Sequence, residues 1–312
     1  MNKGGHYAGV YVFLLILALI LIGVEGFLLN RQAKRLPALE EHSLETAPDR
    51  IEGWYVRAAV ADVRAQPDAG AELVTQALLG DEVKFLREEG EWLQGRVPDG
   101  YIGWLPKKDL EQAAPPPARD RVAVNVPRAI LYQKAGGVTS VGEALLGTDL
   151  PLLAQEGDWL EVWLPGRQPA WIARWEVDIW PGGKLQEKRT GLDVIKAAER
   201  LQGVAYLWGG VSRYGIDCSG LTYIAYFLNG VQLPRDADMQ FQAGRPVAKQ
   251  DLQPGDLVFF NTSGPGTEPS HVGIYTGNGQ FINSRSRQGV VISRLDEPLF
   301  TAGYLGARRY LP

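Results

Sequence analysis

One block of this sequence is written twice. Ala77-Leu78-Leu79-Gly80 recurs as Ala144-Leu145-Leu146-Gly147, and Glu89-Gly90-Glu91-Trp92-Leu93 recurs as Glu156-Gly157-Asp158-Trp159-Leu160. Pro98 is matched by Pro165 and Trp104 by Trp171. Every pair is 67 residues apart, without a gap. Separate matches in one constant register mark a duplicated module. Each copy holds short β-type runs split by turn residues, such as Glu82-Val83-Lys84-Phe85-Leu86 and Trp92-Leu93-Gln94-Gly95-Arg96-Val97. Short strands over about 60 residues predict a small all-β barrel. Two such barrels are predicted, over 53–112 and 121–181, on either side of the stiff stretch Ala114-Pro115-Pro116-Pro117-Ala118.

Composition narrows the chemistry. The net charge is -4 and 22% of residues are charged, so the chain carries no broad basic field and no nucleic-acid partner is predicted. Cys218 is the only cysteine, which excludes an internal disulfide and a cysteine-based zinc cluster. His6, His42 and His271 are scattered and make no metal site, so metal-free chemistry without a cofactor is the expectation. The run from Tyr7 to Val24 is uncharged and mostly apolar. As a helix it is roughly 27 Å long, close to the bilayer core. Residues 1–29 therefore read as a transmembrane anchor or a signal segment, and 30–52 as a polar stalk. Gly23-Val24-Glu25-Gly26 is a poor cleavage site, which favours the uncleaved anchor. Arg31, Lys34 and Arg35 after the run would hold the body in the cytoplasm by charge alone.

The third segment, 188–312, places helices first and strands afterwards, an α+β order. Leu192, Ile195, Ala198 and Leu201 give a helical apolar stripe. Asp217-Cys218-Ser219-Gly220 opens an apolar helix that stops near Asn229-Gly230. His271-Val272-Gly273-Ile274-Tyr275 and Gln280-Phe281-Ile282-Asn283 flank Gly277-Asn278-Gly279, a hairpin signal. Side chains alternate along a strand. With Val272, Ile274 and Ile282 on one face, His271, Gly273, Tyr275, Phe281 and Asn283 share the other. Gly273 would then leave room on that face for the Cys218 helix.

A cysteine at a helix start feels the positive end of the helix dipole, which lowers a thiol pKa. His271 is the one histidine placed to serve as its base. Asn283 can hold the imidazole by accepting its N–H. Nucleophile, base and orienting amide are the parts of a thiol hydrolase. The Cys218 backbone N–H and the Tyr206 hydroxyl are the candidate oxyanion donors.

The two repeats resemble bacterial SH3 (SH3b) domains. The first keeps Gly100-Tyr101-Ile102-Gly103-Trp104, and the second has drifted to Arg167-Gln168-Pro169-Ala170-Trp171. The C-terminal segment resembles the NlpC/P60 peptidases, a rearranged papain-like fold. The likeness is carried by Tyr206-Leu207-Trp208-Gly209-Gly210, Asp217-Cys218-Ser219-Gly220-Leu221, Leu233-Pro234-Arg235-Asp236-Ala237, Pro254-Gly255-Asp256-Leu257 and His271-Val272-Gly273-Ile274-Tyr275. The fold class this implies is an α+β papain-like (NlpC/P60) catalytic domain behind two small all-β SH3-like barrels and an N-terminal transmembrane helix.

The whole arrangement resembles γ-D-glutamyl-L-diamino acid endopeptidases acting on peptidoglycan stem peptides or muropeptides. The resemblance implies Cys218, His271 and Asn283 as the triad. It implies Tyr206, Asp217, Ser219 and Asp236 in the substrate subsites, with an Arg235–Asp236 pair fixing the loop as the competing role for Asp236. It also implies that the first SH3b module closes the cleft around a free N-terminal L-Ala amine. Tyr101 is its candidate hydroxyl, and Glu72, Asp81 or Glu82 its carboxylate. An amidase or acyltransferase on the same scaffold, or a non-catalytic wall-binding protein, are the alternatives. Lysine and diaminopimelate both fit as the diamino acid. Peptidoglycan lies outside the membrane, which argues for an extracytoplasmic body on a membrane anchor. Cytoplasmic muropeptide recycling and secretion stay open.

Overall fold

The duplication in the sequence is a duplication in space. Seven strands run from Gly53–Val56 to Leu110–Ala113, and seven more from Arg121–Val124 to Val177–Trp180. Numbered within its own module, each set is ordered 3-2-6-5-4-1-7. The pairing register even slips at the same repeat position, between Phe85 and Arg87 in the first barrel and between Leu152 and Ala154 in the second. Each barrel has its own core. Val56, Val63, Leu93 and Leu105 fill the first, and Val122, Val124, Leu160 and Ile172 the second.

The structure is a computed structural model that describes residues 53–185, 189–264 and 266–312. The anchor expected over 1–29 and the stalk over 30–52 lie outside the described residues. Among the described residues, no helix is long and apolar enough to cross a membrane.

Each repeated Ala-Leu-Leu-Gly segment runs from the end of a strand into a turn. Gly80 and Gly147 both take a left-handed backbone, with φ of 86° and 89°. That conformation favours glycine. A Cβ on Gly80 would come 2.5 Å from Leu150, and one on Gly147 would come 3.0 Å from Ile224. Leu78, Leu145 and Leu146 share one apolar core with Leu221 and Ile224 of the Cys218 helix. Burying a leucine is worth about 1.5–3 kcal/mol, so these turns fasten both barrels to the domain behind them.

That domain begins with a helix, Gly191–Glu199, whose capping box joins Thr190 and Asp193. Its buried side is Val194, Ile195, Ala197 and Ala198. Leu192, placed by the sequence on the apolar stripe, is 57% exposed. Helices Cys218–Phe227 and Ala237–Ala243 follow. A six-stranded antiparallel sheet comes next. Its order is Arg245–Val247, Tyr304–Arg309, Leu257–Phe260, His271–Gly277, Gln280–Arg285, Gly289–Arg294.

Alternation along these strands builds two cores. Leu257, Phe259, Val272, Ile274 and Ile282 pack with the helices. Val258, Phe260 and Phe281 turn the other way, onto Phe300 and Leu295. This corrects the role expected for Gly273. The Cys218 helix lies on the Val272 face. A Cβ on Gly273 would instead strike Phe281 at 2.5 Å and the Asn283 Cβ at 3.0 Å. The glycine makes room for its own hairpin partners.

Candidate active site

Cys218 is the first residue of its helix, and Asp217 caps it. Asp217 Oδ1 accepts from the Gly220 N–H at 2.6 Å, and Oδ2 accepts from the Gly209 N–H at 2.9 Å. One carboxylate thus ties the helix start to the Trp208-Gly209-Gly210 loop. The backbone N–H of Val272, the residue after His271, lowers the Cys218 pKa. A helix start alone lowers a thiol pKa, and here burial opposes it. Burial pushes the thiol up to about 12, and the adjacent Asp217 carboxylate adds to the rise. A dipole of half a charge does not offset full desolvation.

His271 is the first residue of its strand and is 8% exposed. Its Nε2 is 2.8 Å from Asn283 Oδ1. Asn283 is fully buried, and its Nδ2 donates to the Val291 carbonyl at 3.2 Å and to Ser293 Oγ at 3.0 Å. A carbonyl only accepts, so Val291 fixes which end of the amide meets the imidazole. The acceptor end then assigns the imidazole proton to Nε2. Nδ1 is left with the lone pair, the form a general base needs.

Burial, helped by the Arg285 charge, lowers the His271 pKa to about 4, against the Asn283 bond that raises it. The unfolded chain takes up this proton near 6.5. Folding stability contributed here is complete above 6.5 and is lost as pH falls to about 4, by about 3 kcal/mol. Melting temperature against pH should therefore fall more steeply for the native chain than for His271→Gln across that window. Parallel curves would contradict the shift.

Arg235, which the sequence places only beside Asp236, binds this site to the first barrel. Arg235 is 2% exposed. Its guanidinium gives Asp217 two bonds, of 3.0 and 2.8 Å, and reaches Ser219 Oγ at 2.9 Å. Its Nε donates to Thr75 Oγ1 at 3.1 Å, and Thr75 donates in turn to Asp99 at 2.6 Å. Burial alone would weaken the Arg235 charge, and Asp217 outweighs it. Arg235 does not pair with Asp236, the partner proposed from the sequence. No local pattern announces Thr75 or Asp99, because both come from another domain. Asp217 and Ser219, placed by resemblance in the substrate subsites, are 6% exposed and spend their side chains on this network and on the helix start.

Tyr206 stands beside Cys218. Burial first, then the neighbouring sulfur, raises its phenol pKa. Tyr101 of the first barrel donates a short hydrogen bond to Asp236 Oδ2, across a separation of 135 residues. Glu72, also of that barrel, accepts from the Trp208 indole at 3.0 Å. Asp81 is not brought to Tyr101. It accepts the Leu78 N–H at 2.8 Å and lines a small cavity with Gln76, Asp99 and Tyr223. Burial raises its pKa to about 7. Glu82 is exposed, paired in register with Tyr55.

Residues 203–309 match the NlpC/P60 family profile. The chain is 32% identical over 289 residues to a gamma-D-glutamyl-L-lysine dipeptidyl-peptidase of Bacillus cereus, covering 88% of this chain and 86% of that protein. The chain belongs to the NlpC/P60 family. A Bacillus subtilis protein of the same name is 33% identical over 246 residues, or 75% of this chain and 80% of its own. The crystal structure of an NlpC/P60 family protein from Bacillus cereus superposes with a TM-score of 0.76 at 30% identity, over 83% of this chain and 99% of that one. Ahead of the NlpC/P60 domain, residues 63–110 match the bacterial dipeptidyl-peptidase Sh3 domain and 124–180 the YKFC SH3b2 domain. This NlpC/P60 chain is thus a peptidase carried behind two SH3b modules, as its sequence resemblance implies.

Proposed function

We propose that this peptidase hydrolyses the bond between γ-D-glutamate and an L-diamino acid in peptidoglycan peptides with a free N-terminal L-Ala. The Cys218 sulfur attacks the γ-carbonyl carbon. His271 Nδ1 takes the thiol proton and passes it to the departing amine of the diamino acid. Water then attacks the thioester carbon and gives its proton to the same nitrogen, and the C–S bond breaks as that proton passes to the Cys218 sulfur. Asn283 stabilises the imidazolium that forms at each step. The Cys218 N–H and the Tyr206 hydroxyl receive the negative oxygen. Burial keeps the resting pair as thiol and neutral imidazole, so proton transfer accompanies attack.

The observation that carries the substrate reading is the Tyr101–Asp236 contact. It joins a hydroxyl of the first barrel to a carboxylate of the peptidase domain, and the same barrel contributes Glu72, which accepts from the Trp208 indole. Such a set suits a substrate ammonium. The two Bacillus relatives are dipeptidyl-peptidases by name, which points the same way.

The test compares L-Ala-γ-D-Glu-L-Lys with its N-acetylated form. Tyr101→Phe should raise KM for the free-amine peptide by about tenfold, the scale of one hydrogen bond to a charged group. It should leave the acetylated peptide unaffected. Equal effects on both would reject the amine site. Release of L-Ala from an N-acetylmuramoyl peptide, with the γ-bond intact, would make the chain an amidase instead.

A further inference from the structure

Arg285 is the last residue of the strand that carries Asn283. Its Nη1 is 3.3 Å from Ser293 Oγ and 3.1 Å from Glu297 Oε2. Ser293 Oγ is also the acceptor for Asn283 Nδ2. The Arg285 guanidinium carbon lies 4.9 Å from the centre of the Phe300 ring. Phe300 in turn stacks on the His271 imidazole, at 5.8 Å between centres and 23° between planes. Two separate routes therefore connect Arg285 to the base. One runs through the hydroxyl and the amide, the other through the aromatic ring.

We propose that Arg285 is the positioning residue for His271, holding the Asn283 amide through Ser293 and setting a positive charge over the ring on which the imidazole stacks. The proposal rests on the reading of His271 as the general base. A guanidinium has no acceptor, so Ser293 must accept from it. That bond braces the hydroxyl oxygen that receives the Asn283 N–H. The amide keeps its carbonyl on Nε2, and the lone pair stays on Nδ1. The charge acts on the same nitrogen pair, because a nearby cation disfavours imidazolium.

Other groups also face the imidazole. The helix start brings Asp217, whose carboxylate is paired with Arg235 and favours the charged imidazole. The Leu257–Phe260 strand brings Phe260. The last hairpin brings Asn283, Arg285 and Ser293. The helix Pro298–Gly303 brings Phe300, with Glu297 at its cap paired to Arg285. The Arg285 charge lowers the basicity of His271.

The experiment uses the full chain and two readouts. Nitrogen-15 NMR of the His271 ring reports its tautomer and titration midpoint without substrate. The pH profile of kcat/KM on L-Ala-γ-D-Glu-L-Lys reports the base at work. Arg285→Met should move the NMR midpoint up by about half a pH unit or more, the direction expected when a neighbouring cation is removed. It should also lower kcat by about threefold to tenfold at constant KM. Arg285→Gln keeps a donor for Ser293 without the charge, so it should move the midpoint and spare kcat. Arg285→Lys should restore the midpoint. A midpoint unmoved in both neutral variants overturns the proposal, even if activity falls. If Arg285→Met fails to fold, the Arg285→Gln midpoint decides alone. Should the native chain leave the tripeptide uncut, the peptidase reading fails while the NMR midpoint still tests Arg285.

Discussion

Cys218→Ala should abolish turnover of L-Ala-γ-D-Glu-L-Lys, lowering kcat by roughly 10³-fold or more, the scale of losing a covalent nucleophile. The protein should remain folded. Alanine keeps the helix start, and the Asp217 cap holds the loop through backbone groups that the substitution does not touch. Losing one small buried side chain costs about 1 kcal/mol, far below what breaks a domain. Kinetics beside circular dichroism on the same sample separate the two effects. Turnover within tenfold of the native chain would remove Cys218 from the mechanism. Retained His271 and Asn283 do not substitute for it, because neither forms a thioester.

Arg235→Met should be the most destabilising single change near the site. Asp217 would stay buried with its cation gone, and Asp99 would lose the charge 4.0 Å away. Breaking one side of a buried ion pair costs about 3–5 kcal/mol. The loss should appear as a lower urea midpoint. It should be partly recovered in the double variant Arg235→Met with Asp217→Asn, which removes the stranded charge. A midpoint within about 1 kcal/mol of the native chain would mean that the network contributes no net stability, as some exposed pairs do not. Activity should fall as well, since Asp217 also fixes the helix turn that presents the sulfur.

The hairpin of His271 and Asn283 shows how far local pattern reaches. The parity of Val272, Ile274 and Ile282 was enough to put His271 and Asn283 on the opposite face, and their side chains are hydrogen bonded. The Gly-Asn-Gly turn was legible because Asn278 takes a left-handed backbone, with φ of 53°, between two glycines. The barrels were legible because the same residues recur at a fixed offset, down to the same register slip. Each of these signals is carried by neighbours in the chain.

Other features had no such signal. The Cys218 helix packs on the Val272 face, which alternation does not reveal, because it says which residues share a face and not which element covers it. A helix start can be read from sequence, but the burial that raises the Cys218 pKa cannot. The Thr75–Arg235 bond spans 160 residues, and the Glu72–Trp208 bond spans 136.

The order of modules, the strand and helix periods, and the residue types able to perform thiol chemistry were all set along the chain, where bonded geometry and nearest neighbours act. Charge state, the partner of Arg235 and the meeting of Tyr101 with Asp236 arose only when separate domains closed on one another. Desolvation and long-range ion pairing depend on which surfaces exclude water together, and that is a property of the packed molecule.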